Sequence, residues 1–146
     1  MPTTAPSPQQ LVTSLTDVSG AVGRRLDRVL SSTRGISFAD YRLLAVLAAA
    51  GDGGLSRADL AGRVGLTPSG ATRALRPLEK LGMVVTRRSP RDARLALAEL
   101  PPAGRAVVAQ GSDAGDDATA ALARRANFHA NDRRELADLL ERLAGA

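Results

Sequence analysis

The chain contains no cysteine, no tryptophan, a single histidine (His129), one tyrosine and two phenylalanines in 146 residues. Without a thiol there is no disulfide, no thiol redox switch, no cysteine nucleophile and no thiolate metal site. One imidazole does not build a multi-histidine centre, so neither a metal nor a cofactor is expected. Long apolar runs are also missing. The longest uncharged apolar stretch, Leu43 to Gly51, falls well short of the roughly 18 residues that a membrane span needs. No positive charge precedes Arg24 to open a signal peptide. These absences predict a soluble, cytoplasmic protein with no membrane partner. Acidic residues are scarce in the middle of the chain. Residues 56–98 hold Asp59, Glu79 and Asp92 against nine bases, a local charge of +6, whereas the rest of the chain carries −1 of the total +5. A basic block between near-neutral flanks is the electrostatic footprint of a phosphate-binding module, although arginines that merely solvate a surface give the same count.

Alanine (27) and leucine (21) together make up a third of the residues, a composition that favours helices packed through small side chains. The length suits one domain or one compact pair of subdomains. Residues 1–6 show no hydrophobic period and read as a disordered tail. Ser7, Pro8 and Gln10 then form a capping box with proline at the first helical position, and Leu11, Leu15, Val18, Val22, Leu26 and Val29 recur at steps of three and four up to Gly35. Ser37 and Asp40 repeat the capping spacing, with Ile36 and Tyr41 placed as a hydrophobic staple, and predict a second helix to about Ala50. Beyond the Gly51–Gly54 loop, Ser56 and Asp59 open a short third helix that ends near Val64 and Gly65. Thr67 caps a fourth, with Pro68 at its first position.

A helix of about eight residues, a three-residue turn containing glycine and a second helix compose a helix-turn-helix unit. Leu60, Val64, Leu66, Ala71 and Ala74 are expected to form its shared core, with Ala61 small at the helix crossing. At 100° per residue, Ala71, Leu75 and Leu78 fall on one side of the fourth helix and Ser69, Thr72, Arg73, Arg76 and Lys80 on the other. An amphipathic surface helix would also divide in this way, but a purely solvated face would mix charge signs, and only Glu79, to one side, is acidic. Past Gly82, the segments Met83–Arg88 and Leu95–Ala98 read as a two-stranded hairpin whose tip, Ser89–Ala93, is basic. A hairpin so placed lets arginine reach a minor groove while the helix occupies the major one. Arg91 sits at the tip. Asp92 and Arg94 are spaced to pair and brace it, or Asp92 makes a simple Asx-turn.

From about Phe38 to Val108 the chain resembles MarR-family transcriptional regulators. The resemblance is carried by LTPSGATRALRPLEKLGMVVTRR, RDARLALAEL and PPAG. The family's DNA-reading helix opens with a Ser/Thr-rich cap and ends in Leu-Glu-x-x-Gly, and its wing carries Asp-x-Arg, met here by Asp92 and Arg94. The resemblance implies a mainly α fold with a small β-hairpin wing. A winged helix-turn-helix over 36–100 would be flanked by a dimerisation helix over 7–35 and further dimerisation helices over 101–146. It also implies a homodimer on double-stranded DNA, a repressor role and small-molecule control. The residues so assigned to DNA are Thr67, Ser69, Thr72, Arg73, Arg76 and Lys80 on the helix and Arg88, Arg91 and Arg94 on the wing. Two departures stand out: Pro77 removes the hydrogen bond to the Arg73 carbonyl, and Pro101 replaces the threonine that would cap the fifth helix.

The terminal helices suit a dimer on their own patterns. Leu136, Leu139, Leu140 and Leu143 form an i, i+3, i+4, i+7 stripe, in a final helix capped by Asn131, and the long first helix carries another. Either stripe also suits burial within one chain. Gly111 and Gly115, with Ala114, Ala118 and Ala121, make the fifth helix either loose or a seam that admits a neighbour closely. In the family, ligands sit where the dimerisation helices meet the winged helix, a region that draws here on Arg24, Arg25, Arg28, Phe38, Tyr41 and Arg42. Arginines beside aromatic rings suit an aromatic carboxylate or a phenol. They suit equally a pairing with Asp17, Asp27 or Asp113, Asp116 and Asp117, with Tyr41 filling the core. An enzyme is disfavoured because His129 has no acid, base or nucleophile pattern around it, and the Gly51–Gly54 loop lacks the Lys-Ser/Thr of a P-loop. The remaining alternative is a winged-helix adaptor or antirepressor that binds protein, which would have little use for Arg73, Arg76 and Arg91 together.

Overall fold

In a computed structural model of the chain, residues 5–145 are described. Of the tail expected over 1–6, residues 1–4 lie outside the described residues, and Ala5 and Pro6 are irregular and exposed. Helix α1 (Pro8–Arg34) starts where its capping box places it. The Ser7 hydroxyl accepts from the Gln10 backbone N–H at 3.2 Å, the Gln10 side chain takes the Ser7 N–H at 2.8 Å, and Gly35 ends the helix in the left-handed conformation. The same reciprocal cap, between Ser37 and Asp40, opens α2 (Phe38–Ala50). A single 3₁₀ turn, Gly51–Gly53, turns the chain. It is followed by the two-residue strand β1 (Leu55–Ser56) and by α3 (Arg57–Val64). The remaining elements are α4 (Pro68–Lys80), β2 (Val85–Arg88), β3 (Ala96–Glu99), α5 (Pro102–Arg125) and α6 (Ala130–Ala144).

The sheet has three antiparallel strands in the order β1-β3-β2, one more than the hairpin the sequence predicts. Leu55 pairs with Ala98 and Ser56 with Leu97. Two residues are too few for an alternating pattern to register, and β1 exists because Leu55 is drawn under the sheet beside Ala98, where both are buried. Strand β2 is two residues shorter than expected, and β3 keeps the expected four residues but starts and ends one residue later. Met83 and Val84 lead into β2, and Leu95 belongs to the tip. The helix-to-sheet packing is tight where α5 begins. A Cβ on Gly104 would sit 2.2 Å from the Met83 carbonyl oxygen and 2.4 Å from Leu100 Cδ2, so only a glycine lets α5 approach the chain at that point.

The core is built almost wholly from leucine, as the scarcity of aromatics requires. Leu30, Leu44, Leu47, Leu60, Leu75, Leu78 and Val84 are fully buried, joined by Leu43 of α2, Leu55 of β1, Ala98 of β3, and Ile36 and Leu100 from connecting segments. One expectation fails here. Leu66 is 43% exposed rather than part of the core, because the turn of the helix-turn-helix carries it outward. In α1 the C-terminal anchor is Leu30 at 1% exposure, with Val29 only half-buried. The seam alternative for α5 holds at Gly111, where a Cβ would come within 2.8 Å of the Tyr41 ring, but not at Gly115, which has nothing within 4 Å. Pro101 supplies no side-chain cap to α5. Helix α6 begins one residue before Asn131, with His129 at the N-cap position and the Asp132 carboxylate accepting the His129 N–H at 2.7 Å. Asn131 accepts instead from the Arg134 guanidinium. No helix of the described residues is long and apolar enough to cross a membrane.

Candidate nucleic-acid interface

The helix-turn-helix is α3, a turn and α4. Gly65, at φ 73°, ends α3 in the left-handed conformation, with nothing near the place a Cβ would occupy, so backbone conformation alone selects glycine there. The Thr67 hydroxyl then accepts from the Gly70 N–H at 3.0 Å and starts α4. Ala71, Leu75 and Leu78 lock one side of α4 into the core. This fixes the helix's rotation, so Thr67, Ser69, Arg73, Arg76 and Lys80 are exposed together and Thr72 is half-exposed. The Thr72 hydroxyl donates to the Pro68 carbonyl at 3.0 Å, which leaves its oxygen able to accept. The helix continues one turn past Pro77.

Each of the three acids in the basic block is held by a neighbour. Asp59 takes the Ser56 hydroxyl at 2.6 Å. Glu79 pairs with Arg57 at 3.2 Å. Asp92 accepts the Arg94 backbone N–H at 2.9 Å. Among the described residues, Arg73, Arg76, Lys80, Arg91 and Arg94 form no ion pair, the paired arginines being Arg57, Arg87 and Arg105. A field of cations with its anions turned elsewhere attracts polyanions at long range.

The wing tip is braced, but not by the side-chain ion pair that the Asp92 and Arg94 spacing suggests. Asp92 makes the Asx-turn instead. The Ser89 hydroxyl accepts from the N–H groups of Arg91 and Asp92, Ser89 donates its own N–H to the Leu95 carbonyl at 2.8 Å, and the Arg88 guanidinium donates to the Ala93 carbonyl at 2.8 Å. Backbone amides two residues on lie nearer to a short carboxylate than a guanidinium does, so the local turn wins. Arg88 is thereby engaged in holding the tip, whereas Arg91 and Arg94 are free to point at a ligand.

Of the residues expected to form a ligand pocket, Phe38 and Tyr41 are brought together, and Arg24 and Arg42 lie elsewhere. Tyr41 packs over Gly111 and stacks on Phe38 with ring centroids 6.5 Å apart, and the Arg24 guanidinium folds back towards Gly20. Asp27 accepts the Phe38 N–H at 2.8 Å rather than pairing with an arginine. Arg42 alone of that set lines a cleft of about 510 Å³, which lies between α2 and the helix-turn-helix and is also lined by Asp40, Leu43, Val64, Leu66 and Arg73. The sequence pattern did not single out Arg57, Glu79 or Thr86, which meet from three separate elements. Their separations of 7 and 22 residues leave no local periodicity to find.

A helix-turn-helix with a free basic face, followed by a braced antiparallel wing, defines a winged helix-turn-helix protein. A model of the MarR family matches residues 34–95. The uncharacterised HTH-type transcriptional regulator YdgJ of Bacillus subtilis (strain 168) is 34% identical over 109 residues, which span 75% of this chain and 64% of YdgJ, slightly under two thirds of that relative's length. Among solved structures, Sco3205 of Streptomyces coelicolor, a MarR family regulator in complex with DNA, is 26% identical with a TM-score of 0.82, covering 99% of this chain and 90% of that one. The MarR family protein Rv2887 of Mycobacterium tuberculosis, in complex with salicylic acid, is 27% identical with a TM-score of 0.70, covering 96% and 98%. Residues 34–95 are thus similar to the MarR family, in sequence and in fold.

Proposed function

We propose that the protein is a transcriptional regulator that binds a pseudo-palindromic operator as a homodimer and acts as a repressor. The observation that carries this reading is the exposed, ion-pair-free basic face of α4 beside a wing whose Arg91 and Arg94 are likewise free. Ser69, Thr72, Arg73 and Arg76 read bases in the major groove, Thr67 and Lys80 anchor on phosphate, and Arg91 enters the adjacent minor groove with Arg94 beside it. The 36–100 segment is the DNA-binding unit. The dimerisation helices are those within 7–35 and 101–146. The complex of Sco3205 with DNA supports the same mode here.

A gel-shift series separates readers from anchors. A bidentate arginine contact to guanine discriminates by roughly 1–3 kcal/mol, so Arg73→Ala is expected to lose preference for its base by about tenfold or more. Arg91→Ala is expected to keep the core preference while weakening A·T-flanked sites and lowering the salt slope. If both variants match the parent across a salt titration, these roles are wrong.

The regulator responds to a small aromatic or phenolic acid held in the cleft that Arg42 and Arg73 share. A carboxylate bridging those guanidinium groups, with its ring on Leu43, Val64 and Leu66, removes Arg73 from the bases. The salicylic acid complex of Rv2887 supports this ligand class. Salicylate is expected to raise the melting temperature of the free protein and to weaken operator binding, with both effects lost in Arg42→Ala. A melting temperature unmoved by salicylate and by other aromatic acids and phenols ends the ligand reading and leaves the DNA reading intact.

A further inference from the structure

The C-terminal end of α4 is fastened to the sheet by one polar knot. The Glu79 carboxylate accepts from Arg57, at the start of α3, at 3.2 Å, and from the Thr86 hydroxyl, on β2, at 2.5 Å. The Arg57 guanidinium also lies 3.4 Å from the Thr86 oxygen, closing a triangle between α3, α4 and β2. The Arg57 and Glu79 side chains are only 27% and 28% exposed. The knot sits one turn past a weak point of α4, where Pro77 leaves the Arg73 carbonyl without its helical hydrogen bond. Beyond it, only the turn from Leu81 to Val84 joins the helix to the wing.

The geometry points to Glu79 as a positioning residue that, through Arg57 and Thr86, sets the distance and angle between the α4 face and the wing tip, so that major-groove and minor-groove contacts are made together. This rests on the proposed DNA-binding reading. It predicts an effect opposite to that of simple charge. Removing an anion beside a phosphate-binding face tightens DNA binding when charge alone acts, whereas loss of the knot weakens it.

Because the chain has no cysteine, thiols introduced at Ser69 on α4 and Ala93 on the wing accept spin labels at those two places only, and mixing labelled protein into an excess of unlabelled protein confines the measured pairs to one protomer. In the free protein the label-to-label distance distribution is expected to be narrow, to broaden at least twofold in Glu79→Ala and in Thr86→Val, and to recover in Glu79→Gln, which keeps an acceptor for Thr86. In gel-shift, Glu79→Ala and Thr86→Val are each expected to weaken operator binding about tenfold in the parent, but less than twofold in an Arg91→Ala background, where the wing has lost its main minor-groove contact. An unchanged distance distribution, tighter binding by Glu79→Ala, or a loss additive with Arg91→Ala each overturns the inference. A parent that binds no DNA removes the regulator reading, while the distance measurement still decides whether the knot positions the wing.

Discussion

Replacing Leu139 and Leu140 together with glutamate is expected to convert the protein into a monomer and to weaken operator binding at least a hundredfold. None of α6 is buried, and Leu136, Leu139, Leu140 and Leu143 are between 39% and 54% exposed. Across a groove of about 360 Å³ they face Leu11, Val12 and Leu15 from the N-terminal part of α1, which are equally uncovered. Seven large apolar side chains around one groove is more than a soluble monomer normally leaves in water, and each, being about half exposed, gains roughly 1 kcal/mol when a partner covers it. Two carboxylates placed there have no cation to pair with inside the groove and must stay hydrated, which opposes association. The loss then propagates to DNA. Two linked half-site contacts exceed one by roughly 10²–10⁴ in avidity, so a monomer forfeits most of the affinity although its α4 face is untouched. Sedimentation with gel-shift on the same samples checks this. A variant that stays dimeric and binds as the parent does would place the dimer interface elsewhere.

Gly104→Ala is expected to destabilise the fold by about 3 kcal/mol, near the upper end of overpacking effects. The new methyl would meet the Met83 carbonyl oxygen at 2.2 Å. That atom belongs to the backbone of the lead-in to β2, so it does not swing aside as a side-chain tip would. Relief requires α5 to back away from the winged helix. Gly62→Ala is the matching control. Gly62 lies within α3 with nothing inside 4 Å of the position its Cβ would take, so alanine there is expected to stabilise by about 0.5–1 kcal/mol through helix propensity. Denaturant unfolding followed by circular dichroism measures both. Equal effects of the two substitutions would contradict the packing described around α5.

Features that depend on residues within about four positions of each other were legible in the sequence. The caps at Ser7, Ser37, Ser56 and Thr67 and the core face of α4 all follow from local spacing, and each is present. Features made by the tertiary approach of distant segments were not. Strand β1 needs β3 beside it, the Glu79 knot spans three elements, and Gly104 matters only because Met83 lies over it. The wing brace shows the limit within a local motif. The spacing of Asp92 and Arg94 is right for a contact, but whether the carboxylate takes the guanidinium or the nearer amide is decided by turn geometry. The packing of Tyr41 against α5 was hidden for a related reason. A ring beside a glycine on a facing helix fills the gap that the glycine leaves.

Selection of bound sites from random duplex DNA at physiological salt, run with the parent and with Arg73→Ala, addresses the claim that the exposed face of α4 reads bases. The parent is expected to enrich a pseudo-palindrome whose half-sites repeat at about 10–10.5 base pairs, and Arg73→Ala to change the preferred base at one symmetric pair of positions. Failure of the parent to enrich any sequence, or enrichment of the same sequence by both proteins, would contradict it.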